Sequence, residues 1–118
     1  MPKRGAVVLA GCSALICEDA ARVLEDAGYM VVRAHTLDYA LAANELFAPK
    51  AVVMDTRRID GDIPFFCRAL ACRPNHPEIF LVGEDGEEAK GTMRLPKNVQ
   101  CLRSPLLLTE LVARLNVI

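Results

Sequence analysis

Ala51-Val52-Val53-Met54-Asp55 decides the fold of this chain. Four apolar residues in a row, too few for a helix, read as a strand buried on both faces, and the run ends on a lone carboxylate. Thr56-Arg57-Arg58-Ile59-Asp60-Gly61 follows, a polar stretch that puts Asp55 at the carboxyl edge of a sheet. That edge is where open α/β sheets carry their chemistry.

The same alternation continues in both directions. Ala6 to Ala10 is a matching apolar strand, and Ser13 is placed to cap a helix that runs to about Ala27. Its apolar positions Leu15, Ile16, Ala20, Val23, Leu24 and Ala27 recur at helical spacing, and Gly28 stops it. Met30 to Ala34 is the second strand. Thr36 then caps a helix with Asp38 in its first turn, running through Phe47 and ending before Pro49. Beyond Asp55, Pro64 fits the first turn of a third helix that reaches about Cys72. Ile79 to Gly83 and Val99 to Arg103 are the last two strands. Leu108, Leu111, Val112 and Leu115 trace one face of a terminal helix. The interval from Glu84 to Asn98 holds Gly86, Gly91 and Pro96 and few apolar residues, so a fourth helix there is short at best.

Strands alternating with helices over short connections require parallel strands and right-handed crossovers. The expectation is a single α/β domain over residues 1–118, a three-layer sandwich on a five-stranded parallel sheet with a degenerate fourth helix. The chain has 118 residues, 53% of them hydrophobic, without Trp, so the core must be built from Val, Leu, Ile and Ala. A net charge of −1, with both signs mixed, leaves no footprint for nucleic acid or anionic membrane. No apolar run approaches the ~18 residues of a membrane span. Met1-Pro2-Lys3-Arg4 leads straight into a strand, without a signal peptide's apolar core, so a cytoplasmic protein is expected. The five cysteines, Cys12, Cys17, Cys67, Cys72 and Cys101, show neither zinc spacing nor a disulfide framework. Most read as small buried hydrophobes.

With these elements placed, the chain resembles, over its whole length, the CheY-like receiver domains of two-component response regulators. The match is carried by the third strand ending on Asp55 with Asp60-Gly61 after it. It is carried also by Leu102-Arg103-Ser104-Pro105-Leu106-Leu107-Leu108-Thr109-Glu110-Leu111, which looks like the family's last strand, Lys-Pro turn and last helix. The resemblance implies a flavodoxin-like sheet of order 2-1-3-4-5 and a phosphate-accepting aspartate at Asp55. It also implies an acidic pair, which falls on Gly11 and Cys12, a hydroxyl residue, which falls on Gly83 (or, with a one-residue shift, on Val82 or Glu84), and a lysine before Pro105, which falls on Ser104. Of that constellation Asp55 alone survives.

A carboxylate attacking a phosphoryl group needs Mg²⁺ to neutralise charge, and Mg²⁺ wants clustered oxygen donors. Glycine and cysteine do not supply them. The reading is therefore a pseudo-receiver in phosphorelay signalling, a non-enzymatic module with no cofactor and with phosphorylation at Asp55 weak or absent. Its expected partner is a protein such as a histidine kinase, a phosphotransfer protein or an output domain. Two alternatives stay open. Asp55 is a genuine phosphoacceptor with an altered Mg²⁺ site, or Cys12, at a helix start that lowers a thiol's pKa, serves a cysteine-based phosphotransfer enzyme.

Several residues have plainer readings. Asp55 can be a strand-end acid accepting backbone hydrogen bonds from the Thr56–Arg58 turn, with Arg57 and Arg58 as solvated charges. His35 and His76 have no partner ligands and read as surface residues. Phe65, Phe66, Ala69 and Leu70 read as one core face of the third helix. Leu106, Leu107 and Leu108 cannot all face inward, so Leu106 and Leu107 are candidates for a partner surface. In receiver domains the face built by the fourth helix, fifth strand and fifth helix is a common site of docking and homodimer formation.

Overall fold

The computed structural model of the chain describes residues 4–11, 14–55, 61–74, 76–83, 98–103 and 108–117. In chain order these form β1 (Ala6–Ala10), α1 (Ala14–Asp26), β2 (Met30–Ala34), α2 (Leu37–Phe47), β3 (Ala51–Asp55), α3 (Ile63–Ala71), β4 (Glu78–Gly83), β5 (Val99–Arg103) and α4 (Leu108–Asn116). The strands make one sheet of order β2-β1-β3-β4-β5, and every pairing is parallel. The α/β, flavodoxin-like architecture and strand order expected from sequence are what the chain adopts. The expected weak helix between β4 and β5, and the Ser13 cap, lie outside the described residues.

Side-chain alternation along the strands splits the core in two. Val8, Ala10, Val52, Met54, Ile79 and Leu81 meet Ala40, Ala43, Phe66, Cys67 and Leu70 of α2 and α3. Val7, Leu9, Val53, Phe80 and Val82 meet Ala20, Ala21 and Leu24 of α1 and Leu111 and Leu115 of α4. Each fully buried Val, Leu, Ile or Phe contributes roughly 1.5–3 kcal/mol from apolar burial, so both layers are needed to offset the entropy of ordering the chain.

The element ends have local causes. At the end of α1, Gly28 at φ 100° donates its N–H to the Glu25 carbonyl, and Tyr29 donates to that of Leu24. That bonding pattern is the Schellman stop, with Leu24 and Tyr29 packed together beneath it. Thr36 caps α2 by accepting from the Tyr39 N–H at 3.0 Å. Asp62, which the sequence reading passed over, caps α3 by accepting from the Phe65 N–H at 2.9 Å. β4 begins at Glu78, one residue earlier than expected, because the Glu78 N–H reaches the Lys50 carbonyl and extends the ladder to β3.

One assignment to the core is corrected. Phe65 is 60% exposed, while Phe66, Cys67 and Leu70 take the inner face of α3. At about 100° per residue, Phe66, Cys67 and Leu70 fall within one arc of roughly 100°, and Phe65 lies outside it. Cys72 is exposed, because it follows the last turn of α3 as its cap, whereas Cys67 is buried. His35 and His76 are exposed, as expected.

Candidate functional site

Parallel pairing aligns the carboxyl ends of the strands into one rim. Asp55 ends β3 and sits opposite Val82 of β4. Met54, just before it, sits opposite Ala10 of β1, so Gly11 follows on one side of Asp55. Gly83 follows Val82 on the other side and is paired with Arg103 of β5. The fold thus gathers Gly11, Asp55 and Gly83 on three adjacent strands, spaced about 4.8 Å apart. Cys12, Ser104, Pro105, Leu106 and Leu107 lie outside the described residues, as do Thr56, Arg57, Arg58 and Asp60.

Asp55 is 5% exposed. A carboxylate so deep in a sheet persists only if it is held by polar partners. Asp55 is not among the orphaned side-chain atoms, and it takes part in an interaction within the fold. Gly11 has a left-handed φ of 72°, and its N–H bonds to the Ala34 carbonyl at 3.1 Å, continuing the β1–β2 ladder one step past the strand. Asn and Asp tolerate that conformation better than other side chains, so the backbone does not by itself demand glycine there.

The donor set can be tested against Mg²⁺, the ion that receiver chemistry would use. Mg²⁺ demands octahedral oxygen coordination and is held by carboxylates together with the phosphate it serves. The described rim offers one carboxylate between two glycines, and among the described residues no group of three His, Cys, Asp or Glu stands close enough to hold a metal ion. The described residues do not fit Mg²⁺.

The fold is that of response-regulator receiver domains. A sensor protein of Polaromonas sp. JS666 superposes with a TM-score of 0.80 at 18% identity, covering 97% of this chain and 94% of its own. The signal receiver domain of a signal transduction histidine kinase from Syntrophus aciditrophicus gives 0.77 at 17%, covering 96% and 88%. The chemotaxis response regulator CheY4 of Vibrio cholerae gives 0.74 at 18%, covering 96% and 99%. At such identities the likeness is one of fold. No protein-family model matches the sequence, and no curated protein matches it. Among the described residues no helix is long and apolar enough to cross a membrane.

One feature of the molecule escaped the sequence reading. The N-terminal turns of α2 and α3 border a groove of about 300 Å³ beside the rim, lined by Leu37, Asp38, Leu41, Asp62, Phe65 and Phe66, among others. Gly61 shapes it. Its φ of 132° is one that other side chains rarely adopt, and a Cβ there would come within 2.5 Å of Leu37 Cδ1, so the end of the Leu37 side chain would have to shift. The exposed aromatic ring of Phe65 was the signal, masked because the apolar residues of α3 surround the helix.

Proposed function

We propose that this chain is a receiver-type module of two-component signalling that acts through protein–protein contacts, with phosphorylation at Asp55 weak or absent. The observation that carries this reading is Asp55 at the end of β3, in a receiver fold, with Gly11 and Gly83 beside it on the neighbouring strands. An aspartate attacks a phosphoryl group only where positive charge offsets both anions. Glycines provide none, and in the sequence Ser104 takes the position at which the resemblance to receiver domains expects a phosphate-holding lysine. Gly83 also has no hydroxyl with which to bond a phosphoryl oxygen. What remains is a surface presented by a rigid sheet. A histidine kinase, a phosphotransfer protein or an output domain is the partner class, in the cytoplasm, and the chain itself turns over no substrate. The receiver of a histidine kinase among its structural neighbours supports that class.

The test is incubation with acetyl phosphate and Mg²⁺, followed by weighing of the intact protein. The expected result is an unchanged mass. A stoichiometric phosphoryl adduct, absent from Asp55→Asn, overturns the reading in favour of a working phosphoacceptor.

A further inference from the structure

The helix α2 is built inside out. Its inner face consists of Ala40, Ala43 and Asn44, while Tyr39 is 57% and Leu46 78% exposed. Asp38, Asn44 and Glu45 are its only polar residues, and one of the three is buried. A helix apolar around its whole circumference belongs in an interior, yet this one lies on the outside of a three-layer fold. Phe65 of α3 adds a further exposed ring.

Between the two helices lies the groove described above, with Leu37, Leu41, Phe65 and Phe66 as its apolar wall. Asp38 and Asp62 stand at its upper end, both exposed. No lysine, arginine or histidine lines the groove among the described residues. The helix starts beneath these acids contribute about half a positive charge each, so two carboxylates leave roughly one net negative charge there. Away from the groove, Arg73 pairs with Glu45 and ties α2 to the end of α3. The groove spans Thr36 to Leu41 on one wall and Gly61 to Phe66 on the other, about one and a half helical turns, enough to receive two neighbouring side chains of a partner helix.

We infer that the α2–α3 groove is a docking site for a basic amphipathic helix of a partner protein, with an apolar side chain seated against Leu41 and Phe65 and a lysine or arginine beside Asp38 and Asp62. The acidic upper end selects the sign of the partner's charge, and the apolar wall selects a helix stripe, which is the helix-in-groove mode of recognition. A second copy of this chain fits poorly. Among the described residues, Ala20, Ala21 and Leu24 of α1 and Leu111 and Leu115 of α4 pack on this chain's own sheet, and α2 against α2 would set Asp38 and Glu45 against their own kind. The inference deepens the interaction reading and rests on it only in taking the occupant to be a protein. The two fail separately: a phosphoryl adduct at Asp55 says nothing against the groove, and an empty groove says nothing about Asp55.

The test uses the full chain and a synthetic helical peptide of about three turns, with leucines at i, i+3, i+4 and i+7 and lysines flanking them, alongside a copy with every lysine changed to glutamate. Amide NMR shifts on titration with the lysine peptide are expected to be confined to α2, α3 and Gly61. The glutamate copy, and the Asp38→Asn/Asp62→Asn variant, should each bind about tenfold more weakly at low salt. Asn retains the cap at position 62, so that variant keeps α3. Phe65→Ser, at an exposed position, should remain folded and lose the shifts. Equal affinity for both peptides, shifts centred elsewhere, or no shifts with either peptide would overturn the proposal. So would a dimer in sedimentation velocity that Phe65→Ser disperses, since the occupant would then be a second copy.

Discussion

Asn44 lies on the inner face of α2, 7% exposed, and its Oδ1 has no hydrogen-bond partner. Leaving a buried acceptor unmatched costs about 1–3 kcal/mol, more than a well-made hydrogen bond returns. Asn44→Leu removes the orphan at similar volume and should raise unfolding stability by about 1 kcal/mol in urea titration. A loss of stability instead would mean that the amide is satisfied in solution. Asp55 is the other buried polar residue among those described, and its case differs. It takes part in an interaction within the fold, and its position at a strand end is what a reactive or a purely structural acid would share. The neighbours separate those roles, and two of them are glycine.

The elements are held by short local devices: Thr36 and Asp62 at helix starts, Gly28 at a helix stop, and Gly61 where α3 approaches α2. Gly61 carries two constraints together, a left-handed φ and a Cβ collision with Leu37. Gly61→Ala should therefore cost about 2 kcal/mol or more, the sum of backbone strain and overpacking. In a Leu37→Ala background the same change should cost less, because the collision is relieved while the strain remains. Equal costs in both backgrounds would show that the contact with Leu37 is unimportant. Element boundaries were legible because caps and breakers are chemical signals in the chain itself. The inner faces of α2 and α3 were not. Both helices carry apolar residues around most of their circumference, so periodicity could not say that Phe66 would be buried and Phe65 exposed.

At the scale of the molecule, residues far apart in the chain meet at the amino edge of the sheet. Asn116 accepts from Arg4 Nη1 at 2.7 Å and from Tyr29 Oη at 2.9 Å, and Lys50 Nζ lies 5.8 Å from the centre of the Tyr29 ring. This cluster joins the approach to β1, the stop of α1 and the end of α4. Asn116→Ala and Tyr29→Phe should each cost about 1 kcal/mol, and the double variant less than their sum, because they share one bond. Strict additivity in a denaturant series would remove that bond from the account. The groove between α2 and α3 belongs to this scale as well, since its two walls meet only once both helices pack on the same face of the assembled sheet.

Alone, the sequence determined the layered α/β architecture and the place of Asp55 at the end of a strand, while the strand order was what the resemblance to receiver domains implied. The architecture and that place follow from properties each segment carries by itself, namely apolar run length, caps, breakers and the shortness of connections. Only the tertiary structure decided which flank of an all-apolar helix turns inward and that Phe65 faces water. It also decided that Asp38 and Asp62, twenty-four residues apart, share one groove. The reason is physical: burial is settled by the competition among all surfaces for one core, and no stretch of chain holds that information locally.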